Sequence, residues 1–199
     1  NGGGSGAVMV DAFATLNVVD LLVDDDLTVT DDVAIGGILG VTGAVNFAAD
    51  VTFADGSDII TASAGTSNFR AGVNAGNSIE SGGNQNVVVG DEAGTAITTG
   101  DNNVAVGYSA GAAITTGNRN TLIGNAAGDA LTVGIQNVAI GREALGADTK
   151  GSNTVAIGNG TLRAQNFTSA TDTYNTAVGD QAGTAVTTGT NNTLIGGLA

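Results

Sequence analysis

The sequence predicts an all-β fold: a fibrous, trimeric β-solenoid or β-roll built of 17-residue repeats, preceded by a short-strand shaft of six-residue repeats. Three observations carry this. The glycine closing an N-x-x-x-G unit recurs at Gly90, Gly107, Gly124, Gly141 and Gly158 in steps of 17, then at Gly179 and Gly196 after steps of 21 and 17. A β-branched aliphatic residue precedes every one of these glycines. Upstream, bulky apolar residues recur every six positions. A fixed short period is the signature of stacked architectures, in which each unit buries its apolar edge against the next.

Composition agrees with thin stacked coils. The 199 residues include 33 Gly, no Pro, no Cys, no His, no Trp and only seven aromatics (five Phe and two Tyr). The apolar fraction of 42% is mostly Ala and Val. Without cysteine there are no disulfide staples, and thin coils lacking staples or metals commonly gain burial by oligomerising. The formal net charge of −14, with five Lys and Arg, argues against nucleic acid and against anionic membrane surfaces. It also keeps a long exposed assembly soluble. There is no run of 18 apolar residues to span a membrane.

Residues 1–20 open on NGGGSG, a flexible or connecting segment, and then follow neither strand nor helix period. Over 21–59, Leu21, Leu27, Val33, Leu39, Val45 and Val51 are spaced by six, with a parallel row at Val23, Val29, Ile35, Val41, Phe47 and Phe53. Residues i and i+2 of a strand share a face, so each unit presents two bulky groups to one side. A shaft of short strands, a left-handed hexapeptide β-helix and a plain β-meander all satisfy that pattern. Residues 60–83 hold no firm period and read as a connector, with Phe69 and Arg70 as its large side chains.

From 84 to 199 the 17-residue units run on. The residue before each anchor glycine (Val89, Val106, Ile123, Ile140, Ile157, Val178, Ile195) and the one two places earlier (Val87, Val104, Thr121, Val138, Val155, Thr176, Thr193) share one strand face, which is expected to be the apolar edge that is kept dry. The slot between them is often Ala, as if a tight contact lay behind. Four before the glycine stand Asn86, Asn103, Asn120, Asn137, Asn175 and Asn192, with Thr154 the exception; in register, these amides can form a ladder. The anchor glycines are expected at positive φ, at a corner. A second short strand is expected around Ile97, Ile114, Leu131 and Val186, and a second corner at Gly100, Gly117, Gly134, Gly151 and Gly189. About three aliphatic groups per coil is thin for one chain, and three chains about an axis would cure the shortage. Four extra residues between Gly158 and Gly179 form a candidate contact loop holding Arg163, Phe167 and Tyr174; tolerated length variation on a surface is the simpler and favoured explanation. The array stops three residues past an anchor without a cap, as if it continued beyond 199.

The units DNNVAVGYSAG, SNTVAIGNG and YNTAVGDQAG resemble the NxVAIG head repeats of trimeric autotransporter adhesins, whose period is usually shorter than 17. Together, the stretch LTVTDDVAIGGILGVTGAVNF and the NTAVGDQAG-type array resemble tail fibres of tailed bacteriophages, marine ones in particular. That second resemblance spans nearly the whole chain. It implies a structural virion protein, extracellular on the tail: the shaft or mid-section of a homotrimeric fibre that joins other tail proteins. It also implies a distal tip meeting a host surface glycan or protein. The adhesin resemblance implies instead a bacterial outer-surface protein.

Gly107-Tyr-Ser-Ala-Gly111 fits G-x-S-x-G, but Ser109 fills a variable slot and the chain has no histidine to serve as base. Neither His nor Cys is available for zinc, and no cofactor is expected. The Asp24–Asp26 and Asp31–Asp32 clusters could offer oxygens to Ca²⁺ but lack the EF-hand spacing, and Asp at strand ends is ordinary turn chemistry. A polysaccharide-degrading tailspike would need paired carboxylates; Glu80, Asp91, Glu92 and Glu143 recur in no pair. The expectation is therefore a protein that is not an enzyme.

Overall fold

The computed structural model describes residues 63–199. The six-residue array of 21–59, its aspartate clusters and the 1–20 segment lie outside the described residues. The remainder is a β-solenoid with no helix. Its strands are β1 Phe69–Ala71, β2 Val87–Val89, β3 Val104–Val106, β4 Thr121–Ile123, β5 Val138–Ile140, β6 Gly151–Ser152, β7 Val155–Ile157, β8 Thr171–Asp172, β9 Thr176–Val178 and β10 Thr193–Ile195. Eight of them form one parallel sheet in the order β1-β2-β3-β4-β5-β7-β9-β10, and β6 pairs with β8 apart from it. The register is uniform: Val104 lies opposite Thr121, which lies opposite Val138, which lies opposite Val155. One 17-residue unit is thus one coil, and every coil hydrogen-bonds to the coils before and after it in sequence.

The described part of the stretch read as a connector, residues 63–83, carries the first coil. Phe69–Ala71 pairs with Val87–Val89, and Asn68 stands in the ladder position. The step is 18 there rather than 17, and the inward strand position holds Arg70 instead of a small apolar residue, so the pattern is disguised. Arg70 donates from Nε to the Ala75 carbonyl at 2.7 Å.

The strand faces are the reverse of the sequence expectation. The middle residue of each strand points inward: Val88, Ala105, Leu122, Ala139, Ala156 and Ala177 are all fully buried. The Val, Ile and Thr on either side point outward and are half-buried or exposed; Ile123 keeps 38% of its surface. The reason is the width of the coil. Opposite the strand, three residues after each anchor, stand the buried Ala75, Ala93, Ala110, Ala127, Ala144 and Ala182, and Ile79, Ile97, Ile114 and Leu131 come from seven after. These three inward side chains fill the cross-section, and a Val or Ile in every slot would overpack it. One chain therefore closes its own core, and the expected shortage of apolar groups does not arise.

The expected second strand is absent as well. The segment after each anchor alternates local turns with bonds to the next coil: Ile97 N–H donates to Gly94 O at 3.0 Å, whereas Gly94 N–H donates to Ala110 O at 2.9 Å. Positive φ at Glu92 (60°) and Gly94 (54°) breaks the extended run, so Ile97, Ile114 and Leu131 reach the core from turns.

The anchor glycines are where expected. Gly107, Gly124 and Gly141 have φ of 131°, 133° and 133°. A Cβ on Gly124 would also lie 2.6 Å from the Gly141 carbonyl oxygen, so both backbone conformation and approach between coils require glycine.

In two coils the core side chain changes its place in the sequence. Seven after Gly141 and Gly158 stand Asp148 and Gln165; the core residue comes instead from four after, at Leu145 and Leu162. Other coils hold glycine at that earlier slot, since a Cβ on Gly111 would sit 2.9 Å from Ile114 Cδ1. Leu145 and Leu162 keep the left-handed backbone of the glycines they replace, at φ 56° and 50°, at a cost of about 1–2 kcal/mol each. The two slots are therefore coupled. Leu145→Gly alone is expected to lose about 2–5 kcal/mol for the emptied core position. Asp148→Ile alone is expected to clash with Leu145 and orphan the donors on Asp148. The double variant, measured by denaturant unfolding, is expected to be at least about 1 kcal/mol more stable than the sum of the singles.

Candidate functional site

The asparagines four before each anchor form the ladder that the repeat suggested, and it does more than stack amides. Asn103 Oδ1 accepts from Asn120 N–H at 3.0 Å and from Asn120 Nδ2 at 3.1 Å; Asn120 Oδ1 accepts the same pair from Asn137. Each Nδ2 also donates to the carbonyl that closes its own coil: Asn86 to Gly100, Asn103 to Gly117, Asn120 to Gly134, Asn137 to Gly151, Asn175 to Gly189, all at 2.7–2.9 Å. One side chain thus links neighbouring coils and ties strand to second corner. Asn192 ends the described ladder, donating to Asn175 Oδ1 from N–H at 2.9 Å and from Nδ2 at 3.0 Å. A second ladder runs the opposite way at the preceding corner, where Asn84 N–H donates to Asp101 Oδ1 and Asp101 N–H to Asn118 Oδ1, both at 2.7 Å.

At Thr154 the asparagine is missing and the longer coil supplies the repair. Thr154 N–H still donates to Asn137 Oδ1 at 3.0 Å, while its hydroxyl meets the Thr173 hydroxyl at 2.6 Å. Gln165 Oε1 accepts from Asn175 Nδ2 at 2.7 Å, filling the role of the absent amide. Gln165 Nε2 donates to Asp148 Oδ2 at 2.7 Å, and the other oxygen of Asp148 accepts from the N–H groups of Gly151 and Phe167. Asp148, Thr154, Gln165, Thr173 and Asn175 are all buried, and among the described residues no buried side-chain polar atom lacks a partner. A buried cluster with every valence met is a structural joint.

The candidate contact loop does not hold together as a patch. Phe167 is buried to 7% exposure and its N–H is held by Asp148. Tyr174 is 57% exposed with φ 51°, in the corner row of Asn102, Arg119, Gln136 and Asn153. Arg163 stands in a different row, above Gly146 and Asp129. The added length emerges as the exposed residues 168–170.

Around Arg163 the surface is indented. A depression of about 350 Å³ is lined by Arg163, Ala164, Gln181 and Thr184, and one of about 220 Å³ by Asp129, Glu143, Gly146, Ala147 and Arg163. The second exists because Gly146 leaves a gap in a row that otherwise carries side chains. Glu143 is bound by both Arg142 and Arg163, the latter at 3.2 Å from Oε2. Partial burial raises the Asp129 carboxyl above its ordinary value; two backbone N–H bonds oppose the shift and the neighbouring Glu143 charge adds to it. Asp129 and Glu143 are thus an acid pair invisible in the sequence, being 14 residues apart. Both oxygens of Glu143 are engaged by guanidinium groups, so the pair balances charge on the surface. A carboxyl whose folded pKa exceeds its unfolded one costs stability as pH rises through that interval. Asp129→Asn is accordingly expected to raise the melting temperature at neutral pH and to leave it unchanged well below the carboxylate range, as a pair of thermal scans would show.

The other candidate acids serve neighbouring coils. Asp91 Oδ1 accepts from Val73 N–H at 3.0 Å and Glu92 Oε1 from Asn74 Nδ2 at 2.7 Å, while Glu80 is exposed. Ser109 sits at φ 54° in the slot that Glu92, Ala126 and Glu143 fill in other coils. Among the described residues no group of three or more Asp or Glu is gathered to hold a metal. No protein-family model matches the chain, and no curated protein or solved structure matches it.

Proposed function

We propose that this chain is a structural segment of a homotrimeric tail fibre of a tailed bacteriophage, a stiff spacer that joins other tail proteins to a distal tip contacting a host surface glycan or protein. The observation that supports the reading is the unbroken register: seven successive strand pairings with no slip, each coil tied to the next by side-chain amides as well as backbone. Strands about 4.8 Å apart convert chain length into axial length at a fixed rate, which is what a spacer requires. The buried joint at Thr154 keeps the axis continuous through the longer coil. On this reading the chain is not an enzyme, and it works on the virion, outside the cell.

Antibody raised against residues 63–199 tests this on virions and uninfected cells of the source culture by immunogold electron microscopy. The expected result is gold along virion tails. Gold on uninfected cells and none on virions would overturn it in favour of a bacterial surface adhesin, and no gold on either would overturn both.

A further inference from the structure

Among the described residues, asparagine is followed by glycine at Asn159-Gly160 alone. That dipeptide is labile in water. The backbone nitrogen after an asparagine can attack the side-chain Cγ, and glycine, lacking Cβ, leaves that nitrogen unhindered. The six ladder asparagines are instead each followed by Val or Thr, whose branched side chains crowd the same nitrogen. The stack thus carries its unhindered asparagine off the ladder, in the outer row just after the anchors. There Asn159 joins three coils. Arg142 Nε donates to its Oδ1 at 3.1 Å, and its Nδ2 donates to Asp180 Oδ1 at 2.9 Å. Its carbonyl accepts from Gln181 N–H, and the buried Gly160 donates from N–H to the Arg142 carbonyl, both at 2.8 Å.

We propose that Asn159 is a self-modification site, converted to aspartate and isoaspartate without an enzyme, and that its contacts with the coils on either side hold the reaction back until those coils part. Gly160 N bonds to Asn159 Cγ and gives its proton to water; the Cγ–Nδ2 bond breaks and ammonia leaves, closing a succinimide. Water then opens the ring at either carbonyl, to aspartate or to isoaspartate. The sum is hydrolysis of one amide, water in and ammonia out, with no oxidant or reductant. In the closed stack both reacting groups are engaged: the proton of the attacking nitrogen lies in the bond to Arg142 O, and the carboxamide is held at both ends. An opening that separates these coils frees them together. The products do not fit back. Aspartate sets a carboxylate against Asp180 where an amide now donates. Isoaspartate lengthens the main chain by a methylene between the two backbone bonds that fix the step to both neighbours. The change is irreversible, so Asn159 records how often this part of the stack has opened. Nothing in it depends on a virion or on three copies.

Trypsin cleaves after Lys150 and Arg163, so residues 151–163 come away as one peptide, which also holds Asn153, followed by Thr154, as an internal control. The full chain is kept folded in mildly alkaline buffer, then unfolded and digested. Chromatography with mass spectrometry separates the asparagine, aspartate and isoaspartate forms, and a free 151–163 peptide is the unfolded reference. In that peptide Asn159 is expected to convert ahead of Asn153, and in the folded chain at least about tenfold more slowly than in the peptide. Denaturant below the unfolding midpoint is expected to speed conversion in step with hydrogen exchange at the Gly160 N–H. The double variant Arg142→Ala, Asp180→Ala changes two exposed side chains and is expected to convert faster than the parent at unchanged circular dichroism. Asn159 reacting no faster than Asn153 in the free peptide would overturn the site. Equal rates in peptide and folded chain, or a folded double variant no faster than the parent, would overturn the hold. No conversion at any denaturant concentration below the midpoint would overturn modification of the native protein.

Discussion

Asn120→Ala is expected to destabilise the protein by about 3–5 kcal/mol, seen as a shift in the denaturant midpoint at unchanged baseline structure. Truncation removes the acceptor used by both the N–H and the Nδ2 of Asn137, and the donor that satisfies Gly134 O. Each buried polar group left unmet costs about 1–3 kcal/mol, and water has no route to replace the amide in a fully buried row. Asn120→Asp is expected to be as harmful at neutral pH, because a carboxylate would face the Asn103 oxygen and the Gly134 carbonyl where the amide now donates to both. The exposed Asn125→Ala is the control, expected to fall within about 0.5 kcal/mol of the parent.

Gly124→Ala is expected to be at least as costly, about 3–5 kcal/mol, with local loss of pairing between β4 and β5. At φ 133° an L-residue is strained whatever the space, and the added methyl would press on the Gly141 carbonyl. That carbonyl belongs to the next coil, so relief requires moving backbone that is itself in register on both sides. Gly146→Ala provides the contrast. Its φ is ordinary and the nearest atom to a new Cβ is the Glu143 carbonyl oxygen at 3.2 Å, so only a small change is expected, with the shallow depression beside Arg163 partly filled.

The parts of this fold that were legible in the sequence are those where one position does one job in every coil. Asn120 and Gly124 recur because a buried amide and a left-handed corner each admit almost no substitute, so their spacing gives the period, the parallel register and the ladder. The strand faces were not legible by the same route. Hydrophobicity ranks Ile140 above Ala139, yet the alanine is inside, because the space available is set by Ala144 across the coil rather than by the strand. Ala144 and its equivalents also repeat at 17, and reading that row as core would have turned the strand the right way. The joint at Asp148 and Gln165 was hidden for a different reason. Its two coils exchange a glycine and an isoleucine for a leucine and a polar residue three positions apart, which looks like drift until both slots are seen to share one volume. The first coil was missed because its step is 18 and its inward residue is Arg70, so neither spacing nor polarity flagged it. The pair Asp129 and Glu143 belongs to neighbouring coils, and only the stacking brings them to one notch.

Whether one coil of 17 residues is closed and tied to the next by its asparagine is tested most directly by the side-chain amides themselves. Hydrogen exchange followed by NMR at the Nδ2 groups of Asn103, Asn120 and Asn137 is expected to be slower by at least about 100-fold than at the exposed Asn125, since those protons open only with the coils around them. Exchange at all four sites at one common, fast rate would contradict the ladder and the stacked register built on it.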